Sequence, residues 1–174
     1  MVVSGGAFAQ RHMVYGGLGL NIGVPCVGGA EVFASYEFAI IPRLSIGISA
    51  AYQVYPLAVY AVLIDRLAGG EDVIKDIYGP VAEAQVHFYP GEDKFHIDLG
   101  IGYSNYLRSM HTLLIAPGFG WRFDFGEPGG FFINLGLRTE IFIPVGDGII
   151  KTDEGKNLKA VNFVSARLGF GFRF

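Results

Sequence analysis

From Tyr15 onward the chain alternates apolar and polar residues with a period of two. That period sends successive side chains to opposite faces of an extended strand. A first stretch, 12–24, sets Val14, Leu18, Leu20, Ile22 and Val24 against Tyr15, Gly17, Gly19, Asn21 and Gly23. A second, 30–40, opposes Val32, Ala34, Tyr36, Phe38 and Ile40 to Glu31, Phe33, Ser35 and Glu37, and a third begins at 43. A fourth ends near 89, with Ala82, Ala84, Val86 and Phe88 facing away from Glu83, Gln85, His87 and Tyr89. Residues 95–105 form a fifth. Further stretches centre on Phe119-Gly120-Trp121, Leu135-Gly136-Leu137 and Leu168-Gly169-Phe170. The pattern predicts eight strands, each with one apolar stripe free of charge.

Breakers fall between these stretches. Pro25 to Gly29, Ile41-Pro42, Pro90 to Asp93 and Gly126 to Gly130 read as compact turns, while 55–77, 106–111 and 145–159 are longer connections. Apart from the first, short and long connections alternate, as they do in up-and-down barrels of the outer membrane. The fold expected is therefore all-β: an eight-stranded antiparallel up-and-down transmembrane β-barrel over 10–174.

Alternation does not say which face points inward. An eight-stranded barrel encloses room for a single filling of side chains or one small ligand. About forty apolar side chains, most of them large, will not fit there. All five lysines (Lys75, Lys94, Lys151, Lys156, Lys159) fall in loops or turns, unlike the faces of a water-washed sheet. The apolar stripes are thus assigned to lipid and the polar stripes to the lumen. The lumenal set comprises Glu31, Glu37, Glu83, Asp98, Asp124 and Glu140 with Arg43, Arg122, Arg138, Arg167 and Arg173. Buried charge needs a partner, so this set is expected to form an ion-pair network that plugs the lumen.

Composition narrows the alternatives. Mean hydropathy is +0.40, yet no run approaches the ~20 apolar residues of a membrane helix. The 26 glycines lack a collagen period, and a net charge of −3 offers no basic surface for nucleic acid. Cys26 stands alone, so no internal disulfide forms; it reads as a loop thiol. Ala7-Phe8-Ala9 before Gln10 has the form of a signal-peptidase site, and residues 1–9 read as the remnant of a signal peptide. Tyr36, Tyr52, Tyr78, Tyr103, Phe95, Trp121, Phe123 and Phe131 sit near strand ends, where interfacial aromatics belong.

The closing Phe170-Gly171-Phe172-Arg173-Phe174 resembles the C-terminal signal that the barrel assembly machinery reads, with Phe170, Phe172 and Phe174 as its aromatics. With it, residues 10–174 resemble the small eight-stranded outer-membrane barrels of the OmpA transmembrane domain, OmpX and OmpW type. The resemblance implies the outer membrane of a diderm bacterium and contact with membrane lipids and a lipopolysaccharide-like outer leaflet. The chain is expected to be a monomer without a cofactor.

Function is less legible. The leading expectation is a non-enzymatic barrel, structural, adhesive or passing small hydrophobic solutes. The alternatives are a lipid A or phospholipid-modifying enzyme and a barrel that binds partners through its loops. Lipid-modifying barrels of the deacylase kind carry a His-x-Ser pair, and none of His12, His87, His96 and His111 has Ser two residues on. His87, His96 and Asp98 are brought near one another by the turn around 92, without a nucleophile. Hydrogen-bonded lumenal groups are the simpler reading there, and metal binding is the sharper one. Pro80 and Pro117 interrupt strands that flank the fifth, as tolerated bulges or as a lateral gate for apolar molecules, which the OmpW resemblance suggests. The apolar segment Tyr55 to Leu67 reads as a protruding strand or short interfacial helix that contacts lipid or a partner, or packs over the mouth.

Overall fold

The computed structural model describes residues 12–23, 27–54, 78–91, 94–106, 110–125, 130–145 and 160–174. These hold eight strands: β1 (His12–Gly23), β2 (Val27–Ile41), β3 (Leu44–Val54), β4 (Tyr78–Phe88), β5 (Phe95–Tyr106), β6 (Met110–Phe125), β7 (Phe131–Val145) and β8 (Val161–Arg173). Each runs antiparallel to its sequence neighbours, and β8 pairs with β1, so the sheet closes on itself. The eight strands read from alternation are all present. The N-terminal Ala-x-Ala segment, the 55–77 connection and most of 145–159 lie outside the described residues.

Strand ends differ from those the pattern predicts where glycine reads as a breaker. Gly28 and Gly29 belong to β2, opposite Ile22 and Asn21. A ladder bonds through backbone, so glycine ends a strand only where the partner ends too. Arg43 differs the other way. It occupies, with Pro42, the tight turn between β2 and β3, and it is exposed rather than lumenal. Its carbonyl accepts the Tyr89 amide at 2.9 Å. The alternation that put it beside Ser45 fails because the chain reverses at that residue.

Register sets the barrel's width. Followed from strand to strand, and carried from Glu140 to Ala116 at the offset of the flanking β6–β7 rungs, it passes Gly23, Phe163, Glu140, Ala116, Gly100, Gln85, Gly47, Glu37 and Met13, so one circuit advances ten residues along β1. A shear of that size over eight strands tilts them by roughly 40–45° and gives a backbone radius of about 8 Å. That interior is filled by one layer of side chains. Where two strands come closest, only glycine fits: a Cβ on Gly17 would lie 1.9 Å from the carbonyl oxygen of Leu168 across the β1–β8 seam.

The two faces separate cleanly. Leu18, Ile48, Ile101, Leu135 and Phe172 stand outward and exposed, while Glu31, Ser49, Gln85, Arg138 and Ser165 are buried inside. An apolar outer wall around a polar lumen inverts the soluble arrangement and defines a transmembrane β-barrel. Tyr36, Phe95, Trp121, Phe123 and Phe131 ring the end bearing the short turns, whereas Tyr52 and Tyr103 stand toward the other end. Tyr78 lies in β4, and its side chain is outside the described set.

Neither proline produces a bulge. Pro80 pairs in register with Tyr52. Pro117 pairs with Leu99 on one side, while on the other the β6–β7 ladder stops at Ile115↔Ile141 and resumes at Gly118↔Arg138. Two rungs are missing but the register is unchanged. Proline has no amide hydrogen to give β7, and closure around the barrel holds the strands aligned across the gap. The one register shift in the β2–β3 pair lies instead at Ile40, between Ala39 and Ile41, beside the tight turn.

Because Ile48 sits mid-strand with 64% of its surface exposed, Ile48→Arg is expected to destabilise the barrel in lipid by about 2–4 kcal/mol. Urea unfolding in bilayers measures this. A loss no larger than that of Ile48→Ala would contradict a lipid-facing wall.

Candidate functional site

The lumen holds two groups of ion pairs, built by side chains that alternation turns inward. In the first, Arg167 grips Glu31 with two nitrogens, Nε to Oε1 at 2.5 Å and Nη2 to Oε2 at 3.0 Å, and reaches Glu140 Oε1 at 3.2 Å. Arg138 binds Glu83 with both terminal nitrogens, Nη1 at 2.7 Å from Oε1, and its Nε lies 3.2 Å from Glu140. Two guanidiniums therefore serve three carboxylates. Gln53 relieves the excess by donating its amide to Glu31 at 3.1 Å and to Glu140 at 2.8 Å. Ser165 donates to Glu31 at 3.1 Å.

The second group lies toward the short-turn end. Arg122 Nη2 meets Glu37 Oε2 at 2.7 Å, and its guanidinium lies over the rings of Phe132 and Tyr89, at 4.9 and 5.3 Å. Glu37 also accepts from Ser45 and from the Tyr89 hydroxyl at 2.7 Å. Burial pushes the Tyr89 phenol, in the turn after β4, well above its ordinary value, so it remains a donor to Glu37. Planar stacking plus a charged hydrogen bond is what arginine supplies and lysine does not.

The predicted lumenal residues thus divide by position. Glu31, Glu83, Glu140, Arg138 and Arg167 come together in one network, and Glu37 with Arg122 forms the other. Asp124 and Arg173 pair at 3.3 Å at the rim, both partly exposed. Arg43 takes no part. Asp98 stands opposite His87 in the β4–β5 register. His87 and His96 are buried with ring centroids 5.7 Å apart. Ser45, opposite His87 on β3, is the hydroxyl that chain distance concealed from that cluster; it donates to Glu37.

Some of the filling escaped the alternating pattern. Leu114, Phe142 and Phe163 are buried toward the long-loop end, with Phe142 and Phe163 edge to face at 5.8 Å. Met13 and Phe132 are buried beside Arg122. A signal for the first group was present: Leu113-Leu114-Ile115 and Ile141-Phe142-Ile143 are apolar on both faces. Consecutive apolar residues in a lipid-exposed strand mean that the lumen is apolar at that level. One lumenal cavity, of about 30 Å³, is lined by Tyr15, Gln85, His87, His96, Asp98 and Asn134 among others. It holds little more than a water molecule.

The closed sheet, with its apolar outer wall and polar inner face, defines a small transmembrane barrel. No family model and no curated protein matches the chain. Among solved structures it is similar to a de novo designed transmembrane β-barrel, at 8% identity and a TM-score of 0.47. It is also similar to the neisserial surface protein NspA, at 11% identity and a TM-score of 0.45. Each match covers 94% of this chain and 95% of the other.

Arg122→Leu strands Glu37 without its counter-charge, and we expect a loss of about 3–5 kcal/mol. The double variant Arg122→Leu/Glu37→Leu should regain most of it, since an apolar pair leaves no orphan charge. Equilibrium unfolding of the four-member cycle in micelles checks this, and additive losses would show that the two residues do not act as a pair.

Proposed function

We propose that the chain is a non-enzymatic, non-conducting barrel of the outer membrane of a diderm bacterium, with its lumen plugged by paired charge. Its role on this reading is structural or adhesive, and it presents the long connections to the surroundings. The observation that carries the proposal is the succession of buried side chains along the lumen among the described residues. The Arg122–Glu37 pair lies near one mouth, the Arg138 and Arg167 network follows, and Leu114, Phe142 and Phe163 lie toward the other. A conducting pore needs a continuous water column, and these buried side chains stand in its path; the cavity between them beside His87 and His96 admits about one molecule.

The same filling argues against catalysis on lipid. Ser45, His87 and His96 are buried inside the wall, 1–3% exposed, where an acyl chain in the membrane does not reach them. An outer-membrane setting is supported by the apolar wall, the aromatic ends and the alternation of short and long connections. Such a barrel would be delivered by the barrel assembly machinery and would contact lipopolysaccharide-like lipid as a monomer.

In planar bilayers the folded protein should show no ohmic steps. Truncating the filling by Phe142→Ala, Phe163→Ala and Arg138→Ala together should produce them. Steady conductance by the unaltered chain would overturn the plug, and altered lipid A masses on expression would overturn the non-enzymatic role.

One observation favours a second reading, sideways release of small apolar solutes into the membrane. It is the two-rung gap opposite Pro117, the place in the β6–β7 ladder where the wall is least bonded. Pro117→Val restores the missing amide hydrogen. On this reading it slows uptake of hydrophobic solutes by cells; unchanged uptake removes the gate.

A further inference from the structure

We propose that His87, His96 and Asp98 form a binding site for one divalent transition-metal cation of the zinc type, inside the lumen near the short-turn mouth. The three residues come from two neighbouring strands, β4 and β5. One ligand atom from each lies within 4.8 Å of the others. Tetrahedral coordination at Zn–N and Zn–O distances near 2.0–2.1 Å sets ligand atoms roughly 3.3 Å apart. Modest side-chain rotation therefore closes the set around an ion.

The hydrogen bonding around the cluster is what a ligand would complete. The Nε2 of His87 faces the side-chain amide oxygen Oε1 of Gln85 at 3.3 Å. That nitrogen can only be the donor, so Nδ1 carries the free lone pair. Fixing one ring nitrogen by an N–H donated to a carbonyl is how proteins orient a metal-binding histidine. Nδ1 of His87 and Nδ1 of His96 are both buried without a hydrogen-bond partner, and so is Oδ1 of Asn134. All three residues line the same small cavity, together with Asp98. A few orphaned buried atoms are ordinary in a protein, but three around one cavity call for an occupant. Asp98 itself has no ion pair among the described residues, while every buried lumenal glutamate has one.

Charge points the same way. Among the described residues, five lumenal carboxylates, Glu31, Glu37, Glu83, Asp98 and Glu140, face three arginines, Arg122, Arg138 and Arg167; the rim pair Asp124–Arg173 balances itself. With neutral histidines the excess is two negative charges, and one dication cancels it. Protons on two carboxyls would also cancel it, but they would leave the imidazole lone pairs without partners. Two imidazoles and one carboxylate suit zinc, cobalt or nickel, whereas magnesium and calcium prefer oxygen alone. Arg122 is close by, but Glu37 already neutralises it at 2.7 Å.

The test uses the full chain refolded in detergent micelles and stripped with a chelator. Calorimetric titration with Zn²⁺ should give one ion per barrel, and Co²⁺ should develop the strong visible bands of a low-coordinate nitrogen and oxygen site. Mg²⁺ should give neither. His96→Ala and Asp98→Asn should each weaken Zn²⁺ binding by at least ~10-fold, the least that disturbing a ligand's support produces. His111→Ala, at an exposed histidine bonded to Tyr103, should leave binding unchanged. Failure of the folded, unaltered barrel to take up Zn²⁺ would mean that water occupies the cavity and would overturn the proposal. Equal affinity in the unaltered chain and both site variants would overturn it too. If His96→Ala does not reach the compact, heat-modifiable form on gels, Asp98→Asn and the Co²⁺ spectrum decide.

Discussion

Every backbone amide and carbonyl that enters a hydrocarbon layer must find its partner within the protein, because no water is there to take its place. For a sheet, that requirement can be met only by leaving no edge. The seam between β1 and β8 is therefore as important as any side chain here. Gly17 lets the two backbones approach, and the His12 and Phe174 main chains bond at both ends of the last rung, at 2.9 and 3.1 Å. Once the ladder closes, the missing rungs at Pro117 are tolerated, since both flanking stretches are held in register by the rest of the circuit.

Closure also decides what the interior can be. Ten residues of shear over eight strands leave a narrow tube, and a narrow tube admits few water molecules to solvate charge. Carboxylates and guanidiniums inside it must therefore satisfy one another. The glutamates are shared rather than paired one to one: Glu140 meets both Arg138 and Arg167, with Gln53 bridging it to Glu31. Such sharing ties β2, β3, β4, β7 and β8 together across the lumen, which the strand ladder alone cannot do. Buried ion pairs are weak contributors to stability against an apolar filling.

A narrow lumen crowded with buried side chains limits function. On the proposed reading it is closed to flow, and chemistry open to the barrel then lies at its ends, on its outer wall or in small internal sites. The histidine–aspartate cluster is the candidate of the last kind, set near the short-turn end, where the half-buried Tyr89 lies 5.5 Å from His96 between ring centroids. Buried atoms without a hydrogen-bond partner also occur on Asn105, Arg122 and Arg138, but His87, His96 and Asn134 bring three such atoms to one small cavity beside a carboxylate that has no ion pair among the described residues.

Much of the architecture was legible beforehand, because strand alternation in a membrane is a one-dimensional code. A residue's parity along the strand settles whether it meets lipid or lumen, so Leu18, Ile48 and Phe172 were assigned outward and Glu31, Glu83 and Arg138 inward without coordinates. The code failed where the chain stops being a strand, as at Arg43, and where both faces are apolar, as at Leu114 and Phe142. It carries no information on which inward residue meets which. The pairing of Arg167 with Glu31 spans 136 positions, and Ser45 and His87 are neighbours only because β3 and β4 pair in one register and not the next. Parity is a local property of an extended backbone and can be read from the sequence by itself. Partnership inside the lumen depends on shear, which exists only once the last strand has met the first.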